Sequence, residues 1–283
     1  MKKRSSSSIL ALVLALALAV GITGCGKPEE VPIEEEPEPV VVDFMNPLAL
    51  PPSALFNADL PNLQPVIQEY DTLNSDTVGW LQAAETTIDD VVVQNPNDTN
   101  NANAFYLRRD FNGQYLFDGT YFVDYRANMQ GGREGLSRNT VIYGHSYTDD
   151  PEGVLLNQLK KYRADPEYAE ANPYIFFSIE GEDLLWEVFA VFDTQVDFVY
   201  NLPTPTDTEF ADIIREAQQR SYYTYDTEVT GEDKILTIST CTYNYTTQYP
   251  NSYRYVVMGR LVQPGERVKS KASFAPNADR KMP

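Results

Sequence analysis

The sequence is poor in the two side chains that most often carry out chemistry near neutral pH: among 283 residues there is one histidine, His145, and there are two cysteines, Cys25 and Cys241. It is also short of cations, with 22 Lys and Arg against 41 Asp and Glu and a formal charge of −19. No basic cluster interrupts that acidity, so the chain repels nucleic acid and anionic lipid, and nucleic-acid binding is excluded as a function. No internal repeat is present. The longest apolar run, Ile9 to Val20, falls short of the ~20 residues a helix needs to span a membrane. The Asn-rich stretch from Asn95 to Asn103 lacks the spacing and closing Glu of a calcium loop and reads as a plain turn.

The chain divides by texture. Residues 1–24 open on Lys2, Lys3 and Arg4, continue into the short apolar run and read as an export signal. That segment ends Ile22-Thr23-Gly24-Cys25, which resembles the lipobox of bacterial lipoproteins and makes Cys25 a lipid attachment site; an uncleaved signal anchor is the alternative. Removing residues 1–24 takes away three cations and moves the charge from −19 to −22. Residues 25–61 interleave prolines with Glu29, Glu30, Glu34, Glu35, Glu36, Glu38 and Asp43, cannot build a core and read as an extended tether. Residues 62–264 are long enough for one domain with a well-buried core, and residues 265–283 are basic, polar and read as a flexible tail.

Within 62–264 the periodicities alternate between strand and helix. Leu63, Val66, Ile67, Tyr70 and Leu73 recur at helical spacing with Pro65 in the first turn, and Asp207 caps a second amphipathic segment carrying Phe210, Ile213, Ile214 and Ala217. Val154, Leu155, Leu159 and Tyr162 suggest a further helical face. Short β-branched or aromatic runs predict strands at Trp80-Leu81, Val91–Val93, Phe105–Leu107, Tyr121–Val123, Thr140–Tyr143, Tyr174–Ser178, Leu185–Phe192, Ile235–Cys241 and Tyr253–Val262. Many short strands with turn signals between them give a mainly β fold, a barrel with peripheral helices.

Three strand ends carry chemistry. Ile235 to Thr240 alternates and stops at Cys241; Asn139 to Gly144 stops at His145; Arg254 opens the strand after the cysteine. Taken singly, the thiol is either an inert buried residue or a reactive one, the imidazole a structural histidine, and the guanidinium a surface charge. Together a thiol, an imidazole and a guanidinium can converge at one rim of a sheet.

Three blocks in order resemble the sortases, cysteine transpeptidases of Gram-positive bacteria, and most closely class B. They are Asp76-Thr77-Val78-Gly79-Trp80-Leu81 with Ile88 to Gln94, Gly119 to Tyr125 with Asn139 to His145, and Thr237-Ile238-Ser239-Thr240-Cys241 with Arg254-Tyr255-Val256-Val257. The resemblance spans roughly Leu63 to Val262. It implies a closed eight-stranded barrel and an acyl transfer in which Cys241 attacks as thiolate, His145 protonates the departing amine and Arg254 hydrogen-bonds the substrate or the oxyanion. Leu107 and Ser239 become groove residues. The implied partners are secreted proteins carrying a sorting signal of the Asn-Pro-x-Thr-Asn type, cut after Thr, and an amine of peptidoglycan, with the N-terminus holding the enzyme at the membrane. No metal or organic cofactor is required. Arg254 follows Cys241 by 13 residues, more than the family usually has, so Arg260 is the competing choice. A tethered binding lipoprotein on the same scaffold, and a pilin-polymerising or hydrolytic enzyme, are the alternative functions.

Overall fold

The computed structural model describes residues 60–99, 103–245 and 252–283. Cys25, the export segment and nearly all of the tether lie outside them, as does most of the extra loop between Cys241 and Arg254. Eight strands close a barrel in the order β1-β2-β3-β4-β8-β9-β6-β5. They are β1 (Thr77–Gln82), β2 (Asp89–Val93), β3 (Tyr121–Val123), β4 (Asn139–Tyr143), β5 (Tyr174–Ser178), β6 (Leu185–Gln195), β8 (Ile235–Cys241) and β9 (Tyr253–Leu261). The sheet is mixed: β2 runs parallel to β3 and β4 parallel to β8, and the other neighbours are antiparallel.

Burial explains why the strands read as they do. β6 is buried at all but its last residue because both of its faces are covered. Trp186, Val188 and Val191 join the main core, whereas Phe189 and Phe192 join a separate cluster with Phe210, Ile213 and Ala217 of the helix Asp207–Arg220. Fully burying each of the larger residues of that helix contributes roughly 1.5–3 kcal/mol. Its cap is Thr206 rather than Asp207: Thr206 Oγ1 accepts from the Glu209 N–H, and the Glu209 carboxylate accepts from the Thr206 N–H. The helix Gln64–Leu73 has Pro65 in its first turn and lays Ile67 over Trp80, Val91 and Val93. Among the described residues no helix is long and apolar enough to cross a membrane.

Beyond that cap, two sequence expectations need correction and one, the helical face after His145, is refined. Phe105–Leu107 is not a strand: Tyr106–Arg108 forms a 3-10 turn, because the Tyr106 hydroxyl is drawn to Asp76 Oδ2 at 2.7 Å and the turn closes around it. The face from Val154 to Tyr162 is a 3-10 helix, Leu155–Lys160, running into the short helix Lys161–Ala164. The tail 265–283 is not loose. A strand β10 (Phe274–Pro276) pairs antiparallel with β7 (Tyr223–Tyr225), and the Phe274 ring lies 4.4 Å from Tyr223 and 5.2 Å from Tyr225. One aromatic residue with two aromatic neighbours fastens a segment whose composition is otherwise polar.

Candidate active site

The parallel pairing of β4 with β8 sets the position of two of the three candidate residues. Tyr143 stands opposite Ser239 in that ladder, so His145 and Cys241, each two residues further on, leave the barrel at the same rim. The third comes from the antiparallel hairpin, where Cys241 and Arg254 are direct cross-strand partners, the relation that puts two side chains on one face. Arg260 pairs with Ile235 at the far end of the same hairpin and is tied to Glu187 and Glu266. The ladder thus sets Arg254 opposite Cys241, and of the two candidate arginines it is Arg254 and not Arg260 that stands at the rim.

A cleft of about 600 Å³ opens there, and Leu107, His145, Ser239, Cys241 and Arg254 all line it. Cys241 is a free thiol of intermediate exposure. His145 Nε2 lies 2.8 Å from the Leu107 carbonyl; a carbonyl only accepts, so Nε2 carries a proton there. Nδ1 makes no hydrogen bond among the described residues and is the nitrogen left for proton transfer. The imidazole stacks on Tyr147 at 5.6 Å and 15°, and the Tyr147 hydroxyl donates to Asp118 at 2.9 Å. Burial holds the His145 pKa below its ordinary value; the Leu107 carbonyl opposes that shift, Arg108 adds to it and Asp118 opposes it.

Known proteins resemble this chain over most of its length. Residues 81–262 match the family model for the sortase domain. Sortase B of Listeria monocytogenes is 33% identical over 197 residues, 69% of this chain and 74% of the relative. The chain belongs to the sortase family, in class B. Among solved structures, a Staphylococcus aureus sortase B–substrate complex has a TM-score of 0.58 at 25% identity, covering 71% of this chain and 86% of that one. A Bacillus anthracis protein similar to sortase B gives 0.57 at 30%, covering 69% and 82%. The closed barrel is the one found in those sortases, and the enzyme is a cysteine transpeptidase.

The sortase cleft has walls that the sequence did not single out. The segment after β6 supplies Val196, Phe198, Tyr200 and Asn201. The Tyr200 hydroxyl and Ser239 Oγ share a hydrogen bond of 2.7 Å, so the Ser239 hydroxyl is already engaged at the cleft floor. On the other side Asn201 Nδ2 donates to the Tyr143 hydroxyl at 3.0 Å, which donates in turn to the buried Asp124. Burial alone would raise Asp124, but hydrogen bonds from Arg126 and Tyr143 outweigh it and keep the carboxyl below its usual range. The sequence signal for this wall was an aromatic run, Phe198 to Tyr200, standing between a strand and a helix.

Beneath the cleft, buried polar groups fasten the His145 loop to the end of β8. Ser146 Oγ donates to the Cys241 carbonyl at 2.6 Å, and Thr240 Oγ1 donates to the Gly144 carbonyl at 2.8 Å. Asp149 accepts from Thr242 Oγ1 at 2.8 Å and from the Tyr243 N–H at 2.6 Å. The fully buried Lys160 closes the group, its Nζ lying 3.1 Å from both Asp149 Oδ1 and Ser146 Oγ. Burial pushes Asp149 up, but Lys160, Thr242 and Tyr243 more than offset it, so the carboxyl stays ionised below its ordinary range. Among the described residues no group of three His, Cys, Asp or Glu side chains could hold a metal ion.

Proposed function

We propose that this sortase cleaves a sorting signal of the Asn-Pro-x-Thr-Asn type after Thr and transfers the acyl group to a peptidoglycan amine. The observation that carries the reading is the pairing of Cys241 with Arg254 across one hairpin, with His145 on the same cleft. The Cys241 thiolate adds to the threonine carbonyl, and Arg254 hydrogen-bonds the oxyanion or the substrate beside it. The C–N bond then breaks as His145, protonated, gives Nδ1–H to the departing amine, leaving a thioester and neutral imidazole. An incoming amine attacks the thioester, loses its proton to His145 and expels the Cys241 thiolate, which releases the new amide and restores the thiolate and the protonated imidazole. That relatives include a sortase B solved with its substrate supports the substrate class. Leu107 and Ser239 serve as groove residues, Leu107 also by orienting His145 through its carbonyl.

The reaction belongs at the outer face of the cytoplasmic membrane, with a lipidated Cys25 as anchor and residues 25–61 as spacer. There the secreted proteins and the wall amines meet. The test is incubation with fluorogenic pentapeptides, Asn-Pro-Gln-Thr-Asn among them, with and without glycine oligomers or a diaminopimelate-containing stem peptide, followed by mass spectrometry of the products. An amide product formed mainly when amine is present is the expected result; brisk release of free threonine carboxylate with every amine would make the enzyme a protease. Cys241→Ala should form no thioacyl enzyme, and His145→Ala and Arg254→Ala should each cost at least ~10²-fold in rate. A crippled Arg260→Ala beside a benign Arg254→Ala would overturn the choice of arginine.

A further inference from the structure

We infer that the C-terminal segment after the family domain is a positioning element of the active site, acting through Arg280 on the loop that joins Cys241 to Arg254; this rests on the role proposed above for Arg254. The matched domain ends at Val262, yet the chain continues back along the molecule. β10 pairs with β7, the Asn277 N–H donates to the Tyr222 carbonyl at 2.9 Å, and the Lys281 N–H donates to the Gln219 carbonyl at 2.8 Å. Those ties deliver one side chain to Tyr245, four residues after Cys241. The Arg280 guanidinium lies 4.2 Å from the centroid of the Tyr222 ring, and its Nη2 donates to the Tyr245 hydroxyl at 3.5 Å.

Tyr245 is the link to the chemistry. Its hydroxyl donates to the buried Asp193 at 3.1 Å, the carboxylate to which Tyr222 also donates at 2.5 Å. Its ring stacks on Tyr253 with centroids 5.1 Å apart and planes 28° apart. Tyr253 is in turn fixed at its hydroxyl by Gln195 at 3.2 Å, and its carbonyl accepts from Arg254 Nη1 at 3.0 Å. A continuous series of contacts therefore runs from Arg280 through Tyr245 and Tyr253 to Arg254, and both ends of the inserted loop are held by it. Arg280 Nη1 is buried without a hydrogen-bond partner, an unfavourable placement that packing alone does not require of an arginine. Because the insertion lengthens the connection between nucleophile and arginine, a tie from outside the domain replaces the restraint that a short hairpin supplies by itself.

Two measurements on the full chain separate a positioning role from a purely structural one. Arg280→Ala and Arg280→Lys are compared with Arg215→Ala, which removes an exposed guanidinium paired with Asp212. Hydrogen exchange is followed at the amides of residues 242–245 and 252–254, and kcat/KM is followed with the Asn-Pro-Gln-Thr-Asn peptide. Arg280→Ala should speed exchange at those amides and lower kcat/KM about 10-fold, part of the ~10²-fold that a misplacement of 1 Å can cost. The rate of Cys241 modification by a methanethiosulfonate should stay unchanged, because the thiol is held by β8 and not by the strap. Arg280→Lys, which keeps a cation over Tyr222, should recover part of the loss, and Arg215→Ala should match wild type. Unchanged exchange in Arg280→Ala overturns the inference, and so does faster exchange with unchanged kcat/KM or a parallel fall in thiol modification. If the wild-type chain cleaves no peptide, the proposed function fails instead, and the exchange comparison alone decides whether the strap holds the loop.

Discussion

His145 is the chain's one histidine, and that makes its protonation readable in the stability of the whole protein. Burial depresses its pKa in the fold, whereas the unfolded chain has the ordinary value near ~6.5. Unfolding therefore takes up a proton at mildly acidic pH. The stability that follows from a half-buried neutral imidazole is complete above the unfolded value and is lost as pH falls through the folded one. Asp90, raised by burial, acts with the opposite sign. Tm should accordingly fall between pH 7.5 and 5.5 in the wild type, and His145→Gln should flatten that fall; equal slopes in the two proteins would dismiss the imidazole as its source. The same residue shows what could be read in advance. His145, Cys241 and Arg254 each end a β-branched run, so a chemically capable side chain marks the edge of a strand. Lys160 carries no such mark. It sits among Leu156, Leu159 and Tyr162 on an apolar helical face, and only the fold reveals Asp149 and Ser146 around its ammonium.

Among the elements, the strands were legible wherever alternation or β-branching persisted for five residues or more, because such a surface has one way to be buried. The short runs of β2 and β3 were legible too, but the turn at Tyr106 depended on partners remote in sequence. Tyr106 carries strand-favouring neighbours, but its hydroxyl finds Asp76 and Asn74 and a helical turn results. That turn has a functional outcome, since it aims the Leu107 carbonyl at His145. β4 is placed with equal tightness. A Cβ added to Gly144 would lie 2.7 Å from Tyr121 Cδ1 and 2.8 Å from Leu156 Cδ1, both in the buried core. Gly144→Ala should therefore cost ~1–3 kcal/mol by overpacking and displace the next residue, His145. Thermal unfolding checks the first effect. Peptide cleavage checks the second, with kcat/KM expected to fall at least ~10-fold at a temperature where the variant remains folded.

For the molecule as a whole, acidity and anchoring belong together. A strongly acidic domain gains nothing from an anionic membrane surface, which is why the proposed anchoring is assigned to the N-terminus. A diacylglyceryl group on Cys25 supplies two chains, enough for stable attachment where one is marginal. Mass spectrometry of the native protein should find Cys25 as the modified first residue; an unmodified Met1 joined to the intact apolar run would establish a signal anchor. The parallel pairing of β4 with β8 has a different kind of consequence, in time rather than in space. Thr240 and Gly144, joined by a hydrogen bond next to the reacting residues, are 96 positions apart in the chain. Closing a connection of that length costs about 2 kcal/mol more than closing one of a dozen residues. Such non-local ladders form slowly. No fragment that stops before β8 contains the thiol, and none that stops before β9 contains Arg254. A chain emerging N-terminus first therefore has no assembled site until almost all of it is free, and completion of the barrel is itself the event that turns the enzyme on.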